Sequence, residues 1–100
     1  MAVNVLALGV DDGQVEEIRG LGYYVECCPV DSGDTAEQVT KLHLDSRTFD
    51  CVLIDASLRA PAQLPLLEKL VNLVHARAPL AKICFNTEAA DGAAAVQRWV

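Results

Sequence analysis

The residues of this 100-residue chain that could do chemistry follow its apolar segments. Each is acidic or carries a hydroxyl, and they are Asp11, Asp12, Asp55, Ser57 and Thr87. Carboxylates that converge on one crevice repel each other, and a bound divalent cation can cancel that repulsion. Oxygen-only ligands of this kind suit Mg²⁺, which also binds phosphoryl oxygens. We therefore expect a Mg²⁺ site made of Asp11, Asp12, Asp55 and the backbone carbonyl of Ser57.

A carboxylate beside such a cation can attack phosphorus and form an aspartyl phosphate. Asp55 is the candidate phosphoacceptor, and the hydroxyl of Thr87 is expected to hydrogen-bond the new phosphoryl oxygens. The competing interpretation is that aspartates at strand ends cap helices and solvate loops. We prefer this simpler interpretation for Asp34 and Asp91.

Four apolar segments alternate with four helical patterns, and these elements must position the polar residues. Strands are predicted at Val3–Val10, Tyr23–Cys28, Cys51–Asp55 and Ala81–Asn86. Helices are predicted at about Gln14–Arg19, from Asp34 to about Asp45, from Pro61 and Pro65 to about Arg77, and from Thr87 to the C-terminus. Such alternation indicates an α/β fold with a parallel sheet and right-handed crossovers. Ligands of these sheets bind beyond the carboxyl ends of the strands, which is where the polar residues lie.

Charge and hydropathy exclude several kinds of partner. The formal net charge is -6, and 14 acidic residues outnumber 8 basic residues that are scattered singly. Because nucleic-acid binding needs a clustered basic face, we expect no nucleic-acid partner. No apolar run approaches the ~20 residues that cross a bilayer. The N-terminal segment has no basic leader and is predicted to be a strand, so we expect a cytoplasmic protein without membrane association.

The four cysteines show no CxxC spacing, and Cys51 and Cys84 fall inside predicted strands. We interpret all four as reduced thiols in or near the core of a cytosolic protein. The alternative is that the adjacent Cys27 and Cys28 sense redox state or bind a soft metal. The histidines lie on separate predicted helices, so the spacing of a zinc site is absent.

The chain resembles the receiver domain of a two-component response regulator over essentially its whole length. FDCVLID, which ends at Asp55, resembles the phosphoacceptor strand of that family, and Asp11-Asp12 resembles its Mg²⁺-holding acidic pair. Thr87 matches the switch hydroxyl, and the segments GYYV and SGDTA resemble the approaches to strand two and helix two. The resemblance implies a single domain over residues 1–100 with a flavodoxin-like three-layer sandwich and strand order 2-1-3-4. It also implies that a histidine kinase phosphorylates Asp55 and that an output domain responds, a signalling role rather than an enzymatic one.

Three departures from the family pattern indicate an atypical or C-terminally truncated receiver. The segment between Asp12 and Gly22 is about two helical turns shorter than is typical. Arg59 and Ala60 also separate the phosphoacceptor region from Pro61. The 100 residues include no fifth strand with the family's lysine. Strand four then becomes an apolar sheet edge, which the last helix or a second copy of the chain is expected to cover, giving a possible homodimer.

Three functions stay open at this point. The first is a receiver-like signalling module that acts through protein contacts, in an active form or as a degenerate pseudo-receiver. The second is a small-ligand or nucleotide-binding domain on the same fold, since a fold does not determine function. Against it, Gly9-Val10-Asp11-Asp12-Gly13 is not the GxGxxG pattern, and its aspartates repel a phosphate. The third is a structural interaction domain in which Asp55 is inert.

Overall fold

A computed structural model describes residues 3–30, 34–88 and 91–100 of the chain, without the side chain of Asp34. Strands and helices alternate, as the sequence predicts. In chain order they are β1 (Asn4–Leu8), α1 (Asp12–Gly20), β2 (Tyr24–Cys28), α2 (Asp34–Ser46), β3 (Cys51–Ile54), α3 (Leu64–Arg77), β4 (Lys82–Phe85) and α4 (Gly92–Gln97). Two short 3₁₀ turns, Ala56–Arg59 and Pro61–Gln63, connect β3 to α3.

The four strands form one parallel sheet in the order β2-β1-β3-β4. The predicted α/β, flavodoxin-like fold and the strand order 2-1-3-4 are therefore confirmed. β3 lies between β1 and β4, and all four of its side chains are buried. This position explains its unbroken apolar sequence, because both faces of a parallel sheet are covered.

Helices cover both faces of the sheet and make it a three-layer sandwich. On one face Val15 and Ile18 of α1 and Val96 of α4 pack on the strands, and Cys51 and Cys84 belong to the same apolar cluster. On the other face α2 and α3 pack together, and their buried residues Leu44, Leu70 and Val74 contact the strands. All four cysteines are free thiols in or near the core, with Cys27 half-buried and the other three buried.

Arginine side chains bind backbone carbonyls at both edges of the sheet. Arg19 donates to the Val25 carbonyl on β2 at 3.1 Å, and Arg98 donates to the Phe85 carbonyl on β4 at 3.0 Å. Open edges of a sheet invite pairing with other chains, and charged residues there reduce that tendency. The Arg98 contact also ties the end of α4 to the edge strand.

Two helix starts differ from the sequence-based boundaries. α1 begins at Asp12 because Asp11 is its N-cap, so it starts two residues before the predicted Gln14. The last helix begins at Gly92 rather than Thr87, because Asp91 binds the backbone N–H groups of Thr87 and Glu88 and folds them into a turn. Within the described ranges, no helix is both long enough and apolar enough to cross a membrane.

Candidate functional site

Asp55 lies immediately after β3, at the carboxyl end of the sheet. Its backbone is extended, and its Oδ2 accepts a hydrogen bond from the Ser57 N–H at 3.0 Å, which caps the first 3₁₀ turn. The side chain is half-buried. A central strand therefore delivers a carboxylate to the crevice, as the sequence predicts, and a short turn holds one of its oxygens.

The side chain of Asn86 connects Asp55 to the rest of this edge. Asn86 follows β4 and is fully buried. Its Nδ2 donates to Asp55 Oδ1 and to Gln14 Oε1, both at 2.9 Å. Its Oδ1 accepts from the Ala56 N–H at 2.7 Å. Because a buried amide is costly unless its polar atoms are paired, these contacts explain how Asn86 is tolerated in the core.

Gln14 extends the same network to Asp11. Gly9, at φ 70° in the left-handed region, leads the chain out of β1 toward Asp11. Asp11 then caps α1: its Oδ1 accepts from the Gln14 N–H at 2.9 Å, and its Oδ2 accepts from Gln14 Nε2 at 3.2 Å. Gln14 is only 2% exposed. We call Asn86 and Gln14 the amide bridge, since together they connect Asp55 to Asp11.

The amide bridge also favours the charged form of Asp55. Burial opposes ionisation, but hydrogen bonds from Asn86, Ser57 and Gln14 outweigh it and hold the pKa of Asp55 below its ordinary value. Hydrogen bonds to the charged form of a carboxylate act in this direction. Asp55 is therefore an anion at neutral pH, held by neutral donors.

The residues expected to hold Mg²⁺ do not come together as a metal site. Across residues 3–30, 34–88 and 91–100, no group of three or more His, Cys, Asp or Glu side chains could hold a metal ion. Asp12 is exposed in the first turn of α1. Both carboxylate oxygens of Asp11 accept hydrogen bonds from Gln14. Mg²⁺ binding by Asp11, Asp12, Asp55 and the Ser57 carbonyl therefore stays a prediction, and the contacts with Gln14 already occupy part of the Asp11 carboxylate.

Thr87 hydrogen-bonds Asp91, and its expected bond to phosphoryl oxygens on Asp55 stays a prediction. Its hydroxyl donates to Asp91 Oδ2 at 2.6 Å, and its backbone N–H also donates to that carboxylate. Hydrogen bonds from Thr87 and the Glu88 N–H hold the pKa of Asp91 below its ordinary value. The structure thus places Thr87 in a capped loop before α4, and the polar group that contacts Asp55 from β4 is Asn86.

Arg59 places a positive charge beside the amide bridge. Its Nη2 donates to the backbone carbonyl of Asn86, and its guanidinium lies 5.6 Å from the centroid of the Phe85 ring. Its Nη1 is buried and has no hydrogen-bond partner among the residues that the structure describes. Leaving a buried donor unpaired costs free energy, and a ligand atom that accepts a hydrogen bond from this Nη1 would remove that cost.

Sequence reasoning missed the two amides, although both carried a signal. Asp11 and Gln14 have the spacing of a capping box, in which a side chain three residues into the helix reaches back to the N-cap. Asn86 follows an apolar strand one residue before Thr87. Their mutual contact spans 72 positions and had no local signal.

No protein-family model matches the chain, and no curated protein matches it.

Proposed function

We propose that this chain is a receiver-like signalling module that acts through protein–protein contact, with Asp55 as its candidate phosphoacceptor. The observation that carries the proposal is the position of Asp55. It is an ionised, half-buried carboxylate at the carboxyl end of a central parallel strand. Ligands of open α/β sheets bind at this edge, and an anionic carboxylate is the form that attacks phosphorus.

The surroundings of Asp55 support a signalling role over simple helix capping. Through Asn86 and Gln14 the carboxylate is connected to α1, and Gln14 packs against Gly92 at the start of α4. A change of charge at Asp55 alters its hydrogen bond with Asn86, and through Asn86 the position of Gln14. Because Gln14 packs against Gly92, such a shift can move α4, and Trp99, which follows α4, is 52% exposed. The partners proposed for that surface are an output domain or a second copy of the chain, with a histidine kinase as phosphoryl donor.

The amide bridge also favours a degenerate form of the same module. Gln14 donates to both oxygens of Asp11, and among the described residues no three acidic, histidine or cysteine side chains form a metal-binding group. In the degenerate form Asp55 stabilises the carboxyl edge of the sheet through its hydrogen bonds, and the protein contacts its partners without phosphorylation of Asp55. The two forms differ in one measurable property, the reactivity of Asp55.

The deciding experiment incubates the chain with Mg²⁺ and acetyl phosphate, or with Mg²⁺ and beryllofluoride. An active module gains the mass of one phosphoryl group with the first reagent and shows NMR shifts around Asp55 with both. Trp99 is the only tryptophan, so its fluorescence reports on the α4 surface without labelling. We expect its emission to change together with the shifts at Asp55.

Asp50 provides a matched control at the other end of the same strand. It is exposed and accepts a hydrogen bond from the Asn4 N–H at 2.8 Å. Asp55→Asn is expected to abolish the mass gain and the Trp99 response, and Asp50→Asn is expected to keep both. If the wild type shows neither response, Asp55 is not a phosphoacceptor and the degenerate form is retained.

A further inference from the structure

Cys51 and Cys84 form a buried thiol pair on the face of the sheet covered by α1 and α4. They lie on the adjacent strands β3 and β4, diagonal to each other, since Leu53 is the register partner of Cys84. Both are buried, at 0% and 1% exposure. Their Sγ atoms are 3.0 Å apart. Non-bonded carbon atoms ordinarily keep about 3.5–4.0 Å between them, and sulfur is larger than carbon, so these sulfurs are unusually close.

The other two thiols differ from this pair because they have oxygen partners. Cys27 Sγ lies 3.8 Å from the Val10 carbonyl oxygen, and Cys28 Sγ lies 3.8 Å from the hydroxyl of Thr40. Cys51 and Cys84 are surrounded by apolar side chains such as Leu53 and Val96 and contact each other. A covalent bond between them needs the sulfurs to approach by about 1 Å, since an S–S bond is about 2.0 Å long. Because the two residues are diagonal in register, their Cα atoms must also move toward the usual disulfide range of about 4.4–6.8 Å.

We propose that Cys51 and Cys84 are a redox-active pair that is oxidised to a disulfide by hydrogen peroxide or by a small-molecule disulfide. With peroxide, both S–H bonds and the O–O bond break and one S–S bond forms. The two thiols lose two electrons and two protons, and the peroxide is reduced to two water molecules. With a small-molecule disulfide the same electrons and protons reduce it to two thiols. This inference is independent of the function proposed for Asp55.

Helix α4 controls access to the pair. Ala95 and Val96 of α4 belong to the same buried cluster as the two thiols. The hydrogen-bond contact with Cys84 and burial hold the pKa of the Cys51 thiol far above its ordinary value. Thiolates rather than thiols react with oxidants, and both thiols are buried beneath α4, so the oxidant reaches the pair slowly while α4 is docked. Because Arg98 holds the end of α4 to the Phe85 carbonyl, loosening that contact should speed the reaction.

Two quantities are measured on the full chain: which cysteines are joined at equilibrium, and how fast the disulfide forms. At equilibrium, the chain is refolded from denaturant in a glutathione redox buffer, then unfolded and alkylated. We expect two alkylated cysteines, a mass lower by two hydrogens, and a proteolytic peptide that joins Cys51 to Cys84. Cys84→Ala should abolish this peptide, and Cys28→Ala should keep it.

For the rate, native reduced protein is exposed to hydrogen peroxide and alkylated after increasing times. Arg98→Ala is expected to form the bond several-fold faster than the wild type, and Arg77→Ala on α3, at the opposite face, should match the wild type. Four alkylated cysteines after refolding in oxidising buffer would overturn the proposal, as would a bond that joins other cysteines. Equal rates of disulfide formation in the wild type and Arg98→Ala would show that α4 does not control access to the pair.

Discussion

Single residues decide whether the carboxyl edge of the sheet stays assembled, and Asn86 is the clearest case. Its amide is fully buried and bonds to Asp55, to Gln14 and to the backbone N–H of Ala56. Each of those groups is left without its partner if the amide is removed. The free-energy cost of leaving buried donors and acceptors unpaired exceeds the net gain of making the bonds.

The substitution Asn86→Ala should therefore lower the free energy of unfolding by about 3 kcal/mol. Asn72→Ala is the matched control, because Asn72 is an exposed asparagine on α3 that bonds to the Glu68 carbonyl at 2.9 Å. It should change stability by no more than about 0.5 kcal/mol. Urea denaturation followed by circular dichroism measures both. Equal effects of the two substitutions would contradict the role given to Asn86.

Asp55 should titrate below the ordinary aspartate pKa of about 3.9, because its hydrogen bonds favour the charged form. A carboxyl with a lowered folded-state pKa stabilises the protein above its unfolded pKa. That contribution is lost as pH falls through the folded-state pKa. The chain should thus lose stability below about pH 4 in part through Asp55.

An NMR titration of the Asp55 carboxyl carbon measures this directly. Asn86→Ala removes one of the hydrogen bonds to the carboxylate and should raise the pKa of Asp55. Asn72→Ala should leave the titration unchanged. A midpoint at or above the ordinary value in the wild type would show that burial, rather than hydrogen bonding, dominates.

Among the elements, α4 depends most on close packing with a neighbour. A Cβ atom at Gly92 would lie 2.5 Å from Gln14 Oε1, a distance that forces one of the two to move. Gly92 is therefore required by the contact between α4 and α1, and not by an unusual backbone angle. Its neighbour Gln14 in turn reaches Asp11 and Asn86, so the position of α4 and the state of the site are coupled.

Gly92→Ala should destabilise the protein by about 1–3 kcal/mol, the usual cost of overpacking. Gly20→Ala is the control, since a Cβ there meets nothing within 4 Å. Gly20 is the last residue of α1, so alanine should stabilise the protein there by about 0.5 kcal/mol. Combining Gly92→Ala with Gln14→Ala removes the clash, and the double variant should be less unstable than the sum of the single variants. Thermal unfolding of the three single variants and the double variant shows whether the two residues are coupled in this way.

At the scale of the whole molecule, a bond between Cys51 and Cys84 would join positions 33 apart in the sequence, across two adjacent strands. Loop closure of this size restricts the unfolded chain and is worth about 3–4 kcal/mol when the bond is unstrained. Oxidised protein should therefore resist urea better than reduced protein. Cys84→Ala should be equally stable with and without oxidant, and a stabilisation that persists in that variant would point to other cysteines.

The carboxylates of the candidate site could be predicted from the sequence, and its two amides could not. Asp55 was placed by the local sequence, because an apolar strand that ends in an aspartate presents it at the sheet edge. Thr87 follows the next strand along the sheet, yet its hydroxyl binds Asp91 at 2.6 Å. A short polar side chain can cap its own loop as readily as face a crevice, and local sequence does not distinguish the two outcomes.

The sequence by itself determined the α/β fold, the parallel sheet and the place of Asp55, because these follow from hydrophobic periodicity and from short-range turn and cap signals. Only the tertiary structure decided what Asp55 contacts. Asn86 and Gln14 are 72 positions apart, and packing across the sheet brings them between Asp55 and Asp11. Packing likewise brought Cys51 and Cys84 within 3.0 Å of each other. Contacts of this length depend on the register of neighbouring strands and the position of a helix over them, which no local pattern encodes.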